Sequence, residues 1–284
     1  MVRGKYFDYD KKAKKYKIAD MENKDDFCLL RKIPTVLRAR GYRLYLSNGK
    51  RLIDLWLNGG AAVLGHTPPN ILRELKNTAS RGLYAPFPHF TEARYLKALS
   101  KIFPKRFFRL YAAPPQELSL LFNNGDAKLW RPFTDPASPF TVTENSPILI
   151  PVLPGIQLWR GGLPLGLCIA AVESETQLAN LPESDILPPV LLSTAARGMY
   201  DLLAAPDRAA PKLQRVEKVL KNSLWLRRGT YLELKEKPAA WNALFEKFLE
   251  AGFLLPPTQS FPLILPGELS DGEEAKLAGV LGEL

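Results

Sequence analysis

The chain has 284 residues, 46% of them hydrophobic and 24% charged, an ordinary globular balance with length for one large domain or two small ones. No run of eighteen apolar residues occurs, which argues against a membrane-spanning helix, and the basic N-terminus lacks an apolar stretch, so no secretory leader is expected. The net charge of +10 would suit an acidic partner such as nucleic acid, but no nucleic-acid-binding signature accompanies it, and a solvated basic surface accounts for it.

The chain opens with the densest basic cluster, Lys11, Lys12, Lys14, Lys15 and Lys17, beside Tyr6, Phe7, Tyr9 and Tyr16. Lysines interleaved with aromatics could hold a single strand weakly. Next, "RLYLSNGKRLIDLWLNGG" alternates apolar and polar residues around Asn48-Gly49, which predicts a β-hairpin at about 42–57. "GHTPPNILRELKNTAS" predicts a helix capped by Thr67, with Ile71, Leu72 and Leu75 on its apolar face. "HFTEARYLKALSKIFP" predicts a second helix, with Thr91 as cap, Tyr95, Leu96 and Leu99 facing inward and Pro104 as stop.

From 110 to 165 proline and turn residues crowd together, and only short strands and loops are expected there. "PILIPVLP" reads as a short buried strand whose prolines limit its pairing. Helical pattern returns in "LLSTAARGMYDLLAAP" and "KLQRVEKVLKNS", and "GTYLELKE" reads as a strand. "AAWNALFEKFLEAG" is amphipathic, with Leu244, Phe245, Phe248 and Leu249 on one face and Gly252 as C-cap. "FPLILP" reads as a strand, and "SDGEEAKLAGVLGEL" as a helix with acidic residues in its first turn. The mixture is α/β in style. Cys28 and Cys168 are the only cysteines; two so far apart make neither a zinc pattern nor a disulfide framework, which fits a reducing cytoplasm.

Several stretches, in order, resemble class III aminotransferases, the pyridoxal-phosphate (PLP) enzymes that include glutamate-1-semialdehyde aminomutase. "GYRLYLSNGKRLIDLWLNGGAAVLGHTPPNILREL" is similar to that family's N-terminal hairpin and its Gly-His-x-x-Pro helix start, through Gly49, Asp54, Gly65, His66 and Pro69. "FPHFTEARYLKALSKIFP" is similar to the next helix, and "GGLPLG" at 161–166 to the tail of the lysine loop. "LPPVLLSTAARGMYDLL" and "FLEAGFLLPPTQSFPLILP" are similar to later segments. The resemblance implies a PLP-dependent transferase (fold type I)-like α/β fold with a reduced large domain and a small α+β domain. It implies an N-terminal segment at 1–60 joining the small domain, a reduced large domain at 61–205 and a C-terminal small domain at 206–284.

The departures bear on function. The family's lysine lies seven residues before the proline of "GGLP", here Pro164, so Gln157 stands at its position. An amide is not nucleophilic and cannot form the imine that holds and activates PLP. The nearest lysines, Lys128 and Lys212, lie in dissimilar stretches. The family's phosphate cup is a Ser-Gly-x-Glu-Ala turn at a helix start. One register places "RLYAAPPQEL" there, where Pro114 and Pro115 have no N–H to give; another offers Asn123, Asn124, Gly125, Asp126 and Ala127, which also suit a plain turn. The threonine that one subunit lends to its partner's phosphate would fall near Ser184. Asn124, Gly125 and Ser184 are therefore the candidate cofactor contacts. The long segment that carries the ring-stacking aromatic and the ring-nitrogen aspartate has no counterpart here. Trp159 and Arg160 replace small residues beside the cofactor, and Trp159 is expected to fill its space.

His66 and His89, without cysteine or carboxylate partners nearby in sequence, make a poor metal site. Neither a Gly-x-Ser-x-Gly elbow nor a Walker A loop occurs. Three readings follow. The first is an aminotransferase-like protein without the covalent PLP lysine, a cytoplasmic scaffold forming a homodimer or associating with a true aminotransferase. The second is a working PLP aminotransferase with its lysine elsewhere, and the third a basic module for nucleic acid or acidic ligands.

Overall fold

The computed structural model describes residues 28–140, 142, 147–151, 157–160, 162–236 and 240–283. The basic cluster at 11–17 and its aromatics lie outside the described residues. Among the described residues no helix is long and apolar enough to cross a membrane.

After a 3-10 helix at Cys28–Lys32 come three antiparallel strands, β1 (Val36–Arg40), β2 (Arg43–Leu46) and β3 (Arg51–Asp54). β2 and β3 are the hairpin expected from Asn48-Gly49. Gly49 takes φ +77°, and the Asn48 carboxamide oxygen accepts the Lys50 N–H at 3.1 Å. Helix α1 (Pro69–Ala79) follows, and here two expectations fail. Pro68 rather than Thr67 is the N-cap, and Leu72 points outward, 39% exposed, while Ile71 is buried. In α2 (Thr91–Ile102) the cap is Phe90; Thr91 lies inside the first turn, with its hydroxyl 3.1 Å from His89 Nδ1. Tyr95 and Leu99 are buried as the pattern requires, and Phe103 ends the helix before Pro104.

The proline-rich middle is more regular than its composition suggests. It holds β4 (Phe107–Tyr111), α3 (Gln116–Asn123), β5 (Lys128–Leu129), β6 (Ile148–Pro151), β7 (Leu158–Arg160), β8 (Leu163–Leu165), β9 (Cys168–Val172) and the short α4 (Glu175–Ala179). Helix α3 corrects the expectation of strands and loops alone. Pro114 and Pro115 precede its first turn, where a missing N–H costs nothing, so they start a helix rather than break one. Strand β6 pairs on both sides, parallel to β5 and antiparallel to β9; its proline sits at the last position, opposite Cys168. The sheet order is β4-β9-β6-β5.

Both faces of this sheet are covered, which is why its strands read as unbroken apolar runs. Ile169 and Ala171 of β9 join Ile148 and Ile150 in a core shared with α2 and with α5 (Pro189–Leu203). Cys168, Ala170, Val172 and Leu149 face the other way, onto Leu118 of α3 and Leu181. The C-terminal part supplies α6 (Gln214–Leu220), β10 (Trp225–Arg228), β11 (Tyr231–Leu234), α7 (Trp241–Glu250), β12 (Phe253–Leu254), β13 (Leu263–Ile264) and α8 (Asp271–Gly282). β12 lies parallel to β3, with Phe253 opposite Ile53, so residues 29–55 share one core with residues 213–281. α8 starts at a capping box: the Ser270 hydroxyl accepts the Glu273 N–H, and Glu273 reaches back to the Ser270 N–H.

Candidate functional site

The residues that carry the N-terminal resemblance meet at one corner. Asp54 ends β3 at 2% exposure, and its Oδ1 accepts the N–H groups of Trp56 and Leu57 at 2.8 and 2.9 Å. Its Oδ2 lies 2.8 Å from His66 Nε2. The His66 N–H donates to Gly41 O at 2.8 Å, and at Gly65 (φ +95°) a Cβ would fall 3.2 Å from the Gly41 backbone. Asp54, Gly65 and His66 thus form a knot that sets the turn after β3. His66 has a carboxylate partner after all, brought by the fold, but no group of three metal-binding side chains exists among the described residues.

That turn runs straight into the site. Leu57, Asn58, Gly59 and Gly60 all have positive φ, from 46° to 103°. Gln157, immediately before β7, is 4% exposed, and its Nε2 donates to Leu158 O at 2.9 Å and Leu165 O at 2.7 Å. The amide therefore ties the β7–β8 hairpin together. Asn58 Nδ2 donates to Gln157 O at 3.0 Å, and the Trp159 indole N–H is shared between Asn58 O (3.0 Å) and Oδ1 (3.1 Å). The Trp159 ring covers Gly59 so closely that a Cβ there would meet it at 2.8 Å. Its other neighbour is Phe261, edge-on at 5.1 Å between centroids. Sequence reasoning singled out Gln157 and Trp159 but missed Asn58; its only signal was an Asn-Gly-Gly run able to take left-handed backbone.

The strand-to-helix turn expected to hold a phosphate is the one between β4 and α3. Its N-cap is Pro115, with no side-chain cap, and Pro114 likewise has no N–H. The Ala112 N–H is already given to the Asp185 carboxylate at 2.8 Å, and Glu117 lies in the first helical turn. One carboxylate, that of Asp185, thus already holds a donor that an anion would need. Asn124 and Gly125 sit at the opposite end of α3. Asn124 is its C-cap, and Gly125, at φ +83°, donates to Phe122 O at 3.1 Å. A helix C-terminus presents carbonyls, so the second register does not make a helix-start nest. Ser184 Oγ accepts the Leu110 N–H at 3.1 Å, and the Asp185 N–H donates to Leu110 O at 2.8 Å; this segment lines the edge of β4.

Among the described residues every lysine is exposed except Lys247, which is half-buried on α7 and pairs with Glu283 at 3.1 Å. Lys128 and Lys212 both face solvent. The residues at these positions do not fit a lysine-bound PLP. The position that the resemblance gives the lysine holds a buried amide, Trp159 packs on the turn at Gly59, and the turn that the resemblance gives the phosphate begins with two prolines.

The fold is nevertheless shared with solved structures of PLP-dependent aminotransferases. Ornithine aminotransferase of Plasmodium yoelii matches with a TM-score of 0.60 at 12% identity, covering 88% of this chain and 93% of that one. An omega-transaminase from Sphaerobacter thermophilus gives 0.59 at 14% identity, covering 88% and 90%. Acetylornithine aminotransferase from Elizabethkingia anophelis gives 0.56 at 14%, covering 88% and 93%. In sequence the chain is 26% identical to an uncharacterized protein of Treponema pallidum (strain Nichols), over 84% of this chain and 91% of that protein. It is also 26% identical to one of Borreliella burgdorferi, over 87% and 90%. No family model matches.

Proposed function

We propose that this protein keeps the aminotransferase fold without its PLP chemistry and acts as a folded scaffold, associating with a second copy of itself or with a catalytically competent aminotransferase. The observation that carries this reading is Gln157. A buried amide whose N–H groups are given to Leu158 O and Leu165 O, with its nitrogen lone pair delocalised into the carbonyl, cannot attack an aldehyde to form an imine. Trp159, held by Asn58 against Gly59, supports it by filling the neighbouring space with a rigid ring.

The test is direct. Purified protein incubated with PLP should show no visible absorbance from bound cofactor after desalting. Borohydride reduction should leave no pyridoxyl group on any lysine by peptide mass mapping. A single lysine labelled stoichiometrically would overturn the proposal and restore the reading of a working enzyme.

A further inference from the structure

Away from Gln157, on the other side of Phe261, a cavity of about 240 Å³ opens on the sheet formed by β10, β11 and β13. Trp225, Leu232, Trp241 and Phe261 wall it, and Arg131 and Glu233 reach its lining. The backbone around Arg131 is fixed on both sides. The Trp130 N–H donates to Leu149 O at 2.9 Å, and Phe133 O accepts the Thr230 N–H at 3.0 Å. Yet the half-buried Arg131 side chain makes no hydrogen bond or ion pair among the described residues. The nearby acid, Glu233, instead meets the exposed Arg228 at 3.3 Å. A guanidinium stays charged in proteins, and enclosing one without an anion is costly; burial accordingly pulls the Arg131 pKa below its ordinary value, with Tyr231 and Glu233 opposing only in part.

A second donor is idle at the same cavity. Trp225 is 1% exposed, and its indole N–H has no acceptor among the described residues. A buried polar group left unpaired in a native structure calls for a partner. Leu234, Pro262 and Leu263 add apolar wall and Gln259 and Ser260 add polar groups, and the volume is below that of pockets for drug-sized ligands, roughly 300–1,000 Å³. Glu233 would repel a second negative charge.

We propose that this cavity binds a small single-ring monocarboxylate, with its carboxylate on the Arg131 guanidinium and its ring between Trp225, Trp241 and Phe261. Neither Asn58, Gln157 nor Trp159 lines the cavity, so the proposal does not depend on whether the PLP chemistry is lost.

Phenylacetate is the probe, with phenylacetamide as its neutral counterpart of the same shape. Titration calorimetry and tryptophan fluorescence should show saturable binding of phenylacetate to the wild-type chain and at least about tenfold weaker binding of phenylacetamide, as expected for loss of a charge-assisted hydrogen bond. Arg131→Gln should weaken phenylacetate by a similar factor and leave phenylacetamide unchanged. Absence of saturable phenylacetate binding, equal binding of acid and amide, or an Arg131→Gln chain that binds the acid normally would each overturn the proposal. Because the acid and amide comparison uses the wild-type protein, it decides the matter even if the variant fails to fold.

Discussion

Four successive residues, Leu57 to Gly60, hold left-handed backbone, and only two of them are glycine. Left-handed φ disfavours Leu57 and Asn58, and such strain persists only where the surroundings over-determine it. Here the surroundings are visible: Asp54 grips the N–H groups of Trp56 and Leu57, and Asn58 is engaged by both Gln157 and Trp159. Gly59 is the position with no freedom. Ala there would need φ +66° and would set its Cβ 2.8 Å from the Trp159 ring. Gly59→Ala should therefore cost about 2–4 kcal/mol in urea unfolding, summing overpacking and the positive φ. In a Trp159→Ala background the same change should cost about 1 kcal/mol, the backbone part alone. Equal costs in both backgrounds would show that Trp159 does not press on this turn. Sequence spacing to Pro164 singled out Gln157. It could not show that the amide would bond across its own hairpin, because that depends on β7 and β8 pairing.

At the scale of elements, caps and turns decide where helices begin. Pro114 and Pro115 looked like breakers and act as an entry to α3, whereas the Ser270-to-Glu273 box starts α8. Acidic residues in the first turn mark α8 in the sequence itself, since capping is local. Strands β1 and β10 gave little signal, being short and partly exposed, with partners that complete them. Glu273 links scales: besides capping, its carboxylate receives Arg43 in bidentate fashion at 3.0 and 2.5 Å and Arg51 at 3.2 Å. The Arg43 hydrogen bond leads in holding its pKa at about 2, against an ordinary 4.5. The folded chain thus releases this proton more readily than the unfolded chain. Its stabilisation is complete above pH 4.5 and is lost as pH falls toward 2. Glu273→Gln should cost about 1–2 kcal/mol at pH 7, from a weakened cap and a lost ion pair. Its melting temperature should also fall less steeply than the wild type's between pH 4.5 and 2. Parallel acid profiles for the two chains would show that the carboxylate contributes nothing to acid stability.

For the whole molecule the centre of gravity is Arg208, which no sequence pattern marked. It is 7% exposed and donates to Val63 O at 2.9 Å, to Thr230 Oγ1 and to Leu265 O, with its guanidinium 5.3 Å from the Tyr42 ring centroid. One planar fork joins the turn after β3, the β10–β11 hairpin and the segment after β13. An ammonium cannot reproduce that fork geometry. Arg208→Lys should lower stability by about 2–4 kcal/mol through acceptors left unmet, read as a lower urea midpoint with an unchanged slope. A shift under about 0.5 kcal/mol would mean that these segments hold together without it.

By itself the sequence determined the local matters: that the runs forming α1, α2, α5, α6, α7 and α8 are helical, where the Asn48-Gly49 hairpin turns, and that no lysine lies between Lys128 and Lys212. These depend on periodicity, turn chemistry and residue identity within a few positions. Tertiary structure alone decided that Asp54 meets His66, that Asn58 clasps Trp159, that the Asp185 carboxylate takes the Ala112 N–H ahead of α3, and that Arg131 lines a cavity with no ion pair among the described residues. Such facts depend on residues up to a hundred positions apart reaching contact, and pairings of that kind leave no periodic trace in a chain.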